Sequence, residues 1–207
     1  MEVKKTQLTD NIFIIKFANE RDVSKTFLRF QEHYESPEFA GKIFSQKEFR
    51  KWYKAKHGKF NYHKVWYDGF NIPSHILKKF YSGEFNPLTK KEKIILELFR
   101  EHVHNYYIIA VHDKKDKSIL HHEIAHALFF TDNNYKKEIL KILKKYDLKE
   151  ISTVLHEVDG YGKEVIIDEV QAYSAALHDM VNVKFPEELL REIKEVFGRY
   201  LKKMPVD

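Results

Sequence analysis

Cysteine is absent from the 207 residues. That excludes disulfides and thiolate metal sites, so any metal must be held by histidine and carboxylate side chains. The absence fits a cytosolic protein, and a cytoplasmic location is expected. Long apolar runs are lacking too. Residues 1–5 read MEVKK and lead into polar sequence, so no secretory signal is expected. Apolar stretches such as Ile12-Phe13-Ile14-Ile15 and Ala127-Leu128-Phe129-Phe130 are far too short to span a bilayer, and no membrane partner is expected. No internal repeat, low-complexity segment or long linker divides the chain. A single domain over residues 1–207 is therefore expected, with an aromatic-rich N-terminal lobe (1–100) leaning on a helical core (101–207). Dense blocks of one charge are missing as well. A formal charge of +5 and a pI of about 9.0 describe a mildly basic chain whose lysines are spread along its length. That is the pattern of a solvated Lys/Glu surface, with a nucleic-acid or anionic face as the sharper alternative. No helix-turn-helix, zinc-finger or RRM signature supports that alternative.

What is present is a folding composition, with 43% hydrophobic residues. Residues 11–17 (NIFIIKF) are rich in β-formers and predict a strand, followed by a helix over about 22–34 and a break at Ser36-Pro37. Ser45-Gln46-Lys47-Glu48 and Thr89-Lys90-Lys91-Glu92 are capping-box patterns. The first opens a helix bearing Phe49, Trp52 and Tyr53; the second opens one bearing Ile95, Leu98, Phe99 and Val103. Residues 59–70 predict a strand or hairpin, and 74–81 a short helix ended by Gly83. The aromatic stretch 52–70 reads as core more than as a cleft lining. The clearest strand is 106–111 (YYIIAV). A charged turn with Asp116 as N-cap leads into a helix over about 117–130. Further helices are expected at 135–146, 150–157 and 165–180, with Gly160-Tyr161-Gly162 a loop. Pro186 suits position N1 of a last helix carrying Leu189, Leu190, Ile193, Val196, Phe197 and Tyr200.

The chemistry lies in His121-His122-Glu123-Ile124-Ala125-His126, which contains His-Glu-x-x-His. Positions four apart on a helix differ by about 40° around the axis and about 6 Å along it, so His122 and His126 can bind one metal. Glu123 is displaced to the side, where it can reach a metal-bound water without being a ligand. The helix is apolar nearly all round, which predicts burial. Two histidines and a glutamate buried there need partners, and a metal supplies one. Core histidines bonded to backbone or carboxylates are the blander reading. His121 points about 100° away from His122 and reads as a polar neighbour.

Catalytic zinc usually takes three protein ligands. Downstream candidates are His156, Glu157, Asp168 and Glu169. Glu169 lies within the apolar stripe Val165, Ile166, Ala172, Tyr173, Ala176 and Met180, where a carboxylate wants a cation. Asp168 falls with Glu164 and Gln171 on the polar side, and His156 falls beside Ser152 and Thr153. Glu169 leads, with His156 and Asp168 behind it. Ala172 and Ala176 are small enough to let this helix approach the motif helix closely.

Those residues carry a resemblance. His122-Glu123-x-x-His126, preceded by strand 106–111 and followed by Glu169-Val170-Gln171-Ala172, resembles the gluzincin type of zincin metallopeptidase. The stretch from Glu169 to Leu177 also resembles the Glu-x-x-Ala helix of ImmA/IrrE-like peptidases. The resemblance covers about residues 106–178. It implies an α+β, zincin-like fold, mostly helical, with a small sheet beside the metal-binding helix. It implies Zn²⁺ held by His122, His126 and Glu169, Glu123 as general base, and a protein or peptide substrate. Two features depart from the pattern. Many gluzincins place an Asp four residues after the ligand Glu, where this chain has Tyr173, and the segment between His126 and Glu169 is longer than in compact ImmA-like domains. An orienting partner for the motif histidines could then be Asp168 or a main-chain carbonyl. Tyr161, Tyr173 and His156 are candidates to stabilise an oxyanion, with Tyr173 equally readable as a core aromatic. The expected function is zinc-dependent peptide hydrolysis. The alternatives are a metal-binding regulatory module without peptidase activity, and a basic nucleic-acid-binding domain with an incidental motif.

Overall fold

A computed structural model describes residues 3–36, 38–60, 69–102, 104–112, 117–159, 161–176 and 181–205. Most of the expected hairpin at 59–70, Val103, the Asp116 cap, Gly160 and the end of the 165–180 helix lie outside these residues.

The chain is mixed α+β. Strands β1 (Val3–Thr9) and β2 (Ile12–Phe17) form a hairpin, followed by helices α1 (Glu20–Glu35) and α2 (Gln46–His57). Strand β3 (Phe70–Pro73) leads through a 3-10 turn (Ser74–Leu77) into α3 (Lys78–Tyr81) and then α4 (Lys90–Leu98). Strand β4 (Tyr107–His112) feeds α5 (Lys117–Thr131), and α6 (Asn133–Leu143), α7 (Lys149–Glu157), α8 (Ile166–Ala175) and α9 (Glu187–Leu201) complete the described elements. The sheet has four strands in the order β1-β2-β4-β3. β2 and β4 run parallel, and both outer pairs are antiparallel. No helix among the described residues is long and apolar enough to cross a membrane.

Both capping boxes form. Ser45 and Glu48 exchange bonds at the start of α2, and Thr89 and Glu92 do so at the start of α4. Glu92 has a second task. Its carboxylate takes a bidentate pair of bonds from the buried Arg29 at 2.7 and 2.6 Å, tying α1 to α4.

Several boundaries differ from expectation. Strand β1 was not expected, because its sequence VKKTQLT is polar; only Leu8 is buried, as suits a charged edge strand. α4 stops at Leu98, with Phe99 leaving helical geometry. α8 ends at Ala175, since Ala176 is extended. Pro186 is the N-cap of α9 rather than its first helical residue, a one-residue shift in which its fixed φ still sets the entry.

Strand alternation sorts the core. Ile12 and Ile14 of β2 and Tyr107, Ile109 and Val111 of β4 point to one face, where α5, α6, α8 and α9 cover them with mostly aliphatic side chains. Phe13, Ile15 and Phe17, with Ile108 and Ala110, point to the other, under α1, α4 and the aromatic cluster Phe27, Phe30, Phe80 and Phe85. Trp52 and Tyr53 pack against that cluster as half-buried core. The aromatic and aliphatic stretches thus meet as two faces of one sheet.

Candidate metal centre

α5 is buried on nearly all sides, as its composition requires. His122, Glu123 and His126 are each less than a tenth exposed. The helical spacing stacks the two imidazoles, and their Nε2 atoms face each other at 3.1 Å. From α8, Glu169 Oε2 reaches to 3.8 Å from His122 Nε2 and 3.6 Å from His126 Nε2. Small side chains permit this approach: Ala125 and Ala127 on α5 share a buried cluster with Ala172 and Ala175 on α8. Among the described residues, His122, His126 and Glu169 are the one group of three whose ligand atoms lie within 4.8 Å of one another.

The donor set fits a divalent metal. Ligands at zinc distances of about 2.0–2.2 Å in a tetrahedron stand roughly 3.3–3.6 Å apart, and the sides of this triangle, 3.1, 3.6 and 3.8 Å, bracket that spacing. Glu169 Oε2 is buried and makes no hydrogen bond among the described residues, an expensive state for a carboxylate without a cation. Burial pushes the Glu169 carboxyl well above the usual range against the pull of His126. Burial likewise holds His122 well below the usual imidazole value, with His126 adding to it. Burial acts the same way on His126, but the Asp168 and Glu169 carboxylates outweigh it and raise that imidazole. A lowered and a raised histidine, back to back beside an orphaned carboxylate oxygen, form a group that a cation would satisfy at once.

His126 is oriented from behind. Its Nδ1 lies 3.0 Å from Asp168 Oδ1. Gln171 donates to that same oxygen at 2.9 Å, and Tyr135 donates to Gln171 Oε1 at 2.9 Å. Asp168 and Gln171, placed on a polar face by sequence, therefore do not look out to solvent; Gln171 is fully buried and that face serves His126. Asp168 fills the orienting role that the Tyr173 position cannot. For His122 the main-chain groups of Ala172 and Ala176 lie close enough to raise its basicity, yet Nδ1 makes no well-formed hydrogen bond.

Glu123 stands beside this group and is not part of it. Asn71 Nδ2 on β3 donates to Glu123 Oε2 at 2.9 Å, and Tyr107 on β4 donates to Asn71 Oδ1 at 2.7 Å. Gly69 approaches Glu123 so closely that a β-carbon there would lie 2.6 Å from Oε1 and under 3.0 Å from Cγ and Cδ.

The other sequence candidates separate. The Tyr173 ring lies 4.6 Å from the His122 ring, and its hydroxyl meets that of Tyr161 at 2.9 Å. Burial raises both phenols, Tyr173 to about 12, so both remain O–H donors. His156 is not at the metal group: its Nδ1 bonds the Tyr161 carbonyl at 2.7 Å and positions that loop. Glu157 is exposed at the end of α7. His121 packs toward Phe197 of α9.

Sequence reasoning missed Gly69, Asn71, Tyr107 and Glu35. Glu35 ends α1 and takes a hydrogen bond from Gln31. Burial raises its carboxyl to about 7, against the pull of His126 and with the push of Glu123. A signal existed for Asn71: an amide between Phe70 and Ile72 is a poor strand former unless a buried partner awaits it. Nothing local marked Glu35.

No protein-family model matches the chain, and neither a curated protein nor a solved structure matches it.

Proposed function

We propose that the chain is a zinc-dependent peptide hydrolase of the gluzincin type, with its motif helix set against the sheet in a zincin-like manner. One observation carries the reading. Three donors, His122, His126 and Glu169, converge on a point, while a carboxylate from the same motif is held at their side without joining them. Structural zinc sites use four protein ligands; three ligands leave a position for chemistry.

A zinc ion in this group supplies a Lewis acid that polarises the scissile carbonyl and acidifies water. The chain's own residues do the rest. Glu123 accepts a proton from water as its oxygen attacks the carbonyl carbon, and delivers it to the amide nitrogen as the C–N bond breaks. Asp168 holds His126 with Nδ1 toward itself, which turns the Nε2 lone pair toward the converging donors. The Tyr173 ring packs on His122 and its hydroxyl meets that of Tyr161, so this pair is suited to donate to the carbonyl oxygen as it gains charge. The substrate class is a protein or peptide.

A metal-binding regulatory module would need the three ligands but not Glu123. Glu123→Gln separates the two readings, because it removes the base and keeps the shape. On a peptide substrate that wild type cleaves, the variant should lose at least about 100-fold in rate while its zinc content and melting temperature stay unchanged. Equal rates in the two proteins would remove the hydrolase reading.

A further inference from the structure

A carboxylate one residue from a metal ligand is itself a potential ligand, and hydrolysis fails if it becomes one. Coordination by Glu123 would occupy the fourth position and convert an open site to a closed one. Something must hold it back, and β3 and β4 carry the parts. Asn71 pairs with Ile109 in the sheet, so its side chain shares the face of Ile109 and Tyr107, toward α5. Asn71 is 8% exposed in a strand whose four residues are all buried. A buried amide in such a strand costs stability unless its bonds are made. Its amide is bonded on both sides: the nitrogen donates to Glu123 and the oxygen accepts from the Tyr107 hydroxyl. Tyr107 is buried and its phenol is raised far above the ordinary value by burial, so it stays a donor. A phenol donates to the amide oxygen, which fixes the amide with its NH₂ toward Glu123. Gly69 closes the other side, since any β-carbon there would overlap Oε1, Cγ and Cδ of Glu123.

We infer that Gly69, Asn71 and Tyr107 form a positioning brace that holds the Glu123 carboxylate beside the metal instead of on it, keeping the fourth coordination position open. The inference rests on the metal-binding part of the proposed function and not on peptide cleavage.

The test uses the full chain loaded with Co²⁺, whose visible spectrum reports coordination, and acetohydroxamate as a probe of the open position. Wild type should bind acetohydroxamate with a clear spectral change. In Asn71→Leu, Glu123 loses the hydrogen bond from Asn71 and can turn toward the metal. The Co²⁺ spectrum should change before any probe is added, and acetohydroxamate affinity should fall roughly tenfold or more, the scale of losses from supporting residues. Adding Glu123→Gln to Asn71→Leu should restore both, because a carboxamide is a poor ligand; a merely structural role for Asn71 would not be rescued this way. Tyr107→Phe removes one oxygen and should shift both readouts in the same direction by less. A folded Asn71→Leu with wild-type spectrum and affinity overturns the brace. Should that variant fail to fold, unchanged readouts in Tyr107→Phe overturn it. Wild type that takes up neither Co²⁺ nor Zn²⁺ overturns the metal reading and the brace with it. Loss and rescue of acetohydroxamate binding support the brace even where no peptide is cleaved, so the two readings fail separately.

Discussion

Two chains of tyrosine, amide and carboxylate flank the group of His122, His126 and Glu169, and they differ in where they end. On the helical side, Tyr135 holds Gln171, Gln171 holds Asp168, and Asp168 holds His126. On the sheet side, Tyr107 holds Asn71 and Asn71 holds Glu123. The first chain terminates on a proposed ligand and sets its tautomer. The second terminates on the proposed base and sets its distance from the proposed metal position. A buried amide is a good middle member in both, because it accepts on one side and donates on the other, and a tyrosine hydroxyl fixes which side is which. The comparison teaches that ligand and base are ordered by separate supports, so each can be broken alone.

The largest effect should come from removing a proposed ligand on the helical side. His126→Ala and Glu169→Ala should each strip zinc, as read by elemental analysis after dialysis. Asp168→Asn leaves the ligands in place and weakens only the orientation of His126, so zinc affinity should fall about 10- to 100-fold. His156→Ala should leave affinity near wild type, because His156 bonds the Tyr161 carbonyl. Zinc held normally by Glu169→Ala, or lost completely in His156→Ala, would reverse the assignment of the third ligand. These variants leave the sheet-side chain intact.

That asymmetry also explains what could be read before the structure was known. The helical side lies within about residues 117–175, and its signals are local. A four-residue spacing stacks His122 and His126, an apolar stripe picks out Glu169, and capping boxes mark α2 and α4. Most helices followed from the same kind of periodicity, while the α+β class came with the resemblance. The sheet side depends on pairings across the chain. Asn71 meets Glu123 over a separation of 52 residues, and Glu35 arrives from the first helix. No spacing rule encodes such meetings, since they depend on strand order and on which face Asn71 shares with Ile109. Asp168 shows the intermediate case. The sequence puts it on the polar side of its helix and offers it, beside a main-chain carbonyl, as an orienting partner; only the packing of α8 against α5 and α6 shows that this side meets His126 and Tyr135.

A smaller effect should come from the sheet side. In Gly69→Ala the new β-carbon must displace Glu123, because three of its atoms lie within 3.0 Å of that point. The overpacking should cost roughly 1–3 kcal/mol of stability, read by denaturant unfolding. Zinc content should stay at the wild-type level while peptide cleavage falls. Loss of zinc in Gly69→Ala at normal stability would mean that the two supports are not separate.

The smallest effect on zinc binding and cleavage concerns Glu35, which lies near both chains' ends and belongs to neither. Burial raises its folded-state pKa to about 7, with His126 opposing and Glu123 and Asp168 reinforcing the shift. An unfolded glutamate titrates near 4.3. Between those values the folded state keeps a proton that the unfolded state has released, so stability declines as pH rises through the window and the full penalty applies above it. In metal-free protein, Glu35→Gln removes that penalty. Its gain over wild type should be only about 1 kcal/mol at pH 5 and grow toward pH 8, with an upper bound of about 4 kcal/mol. A bound divalent cation favours the ionised carboxylate, so zinc should shrink the gain at pH 8. Melting temperatures of the two proteins at both pH values, with and without zinc, measure this directly. A gain that is equal at pH 5 and pH 8 would show that Glu35 is not held in the strained, protonated state inferred from its surroundings. A gain that zinc leaves unchanged would place Glu35 outside the field of the metal.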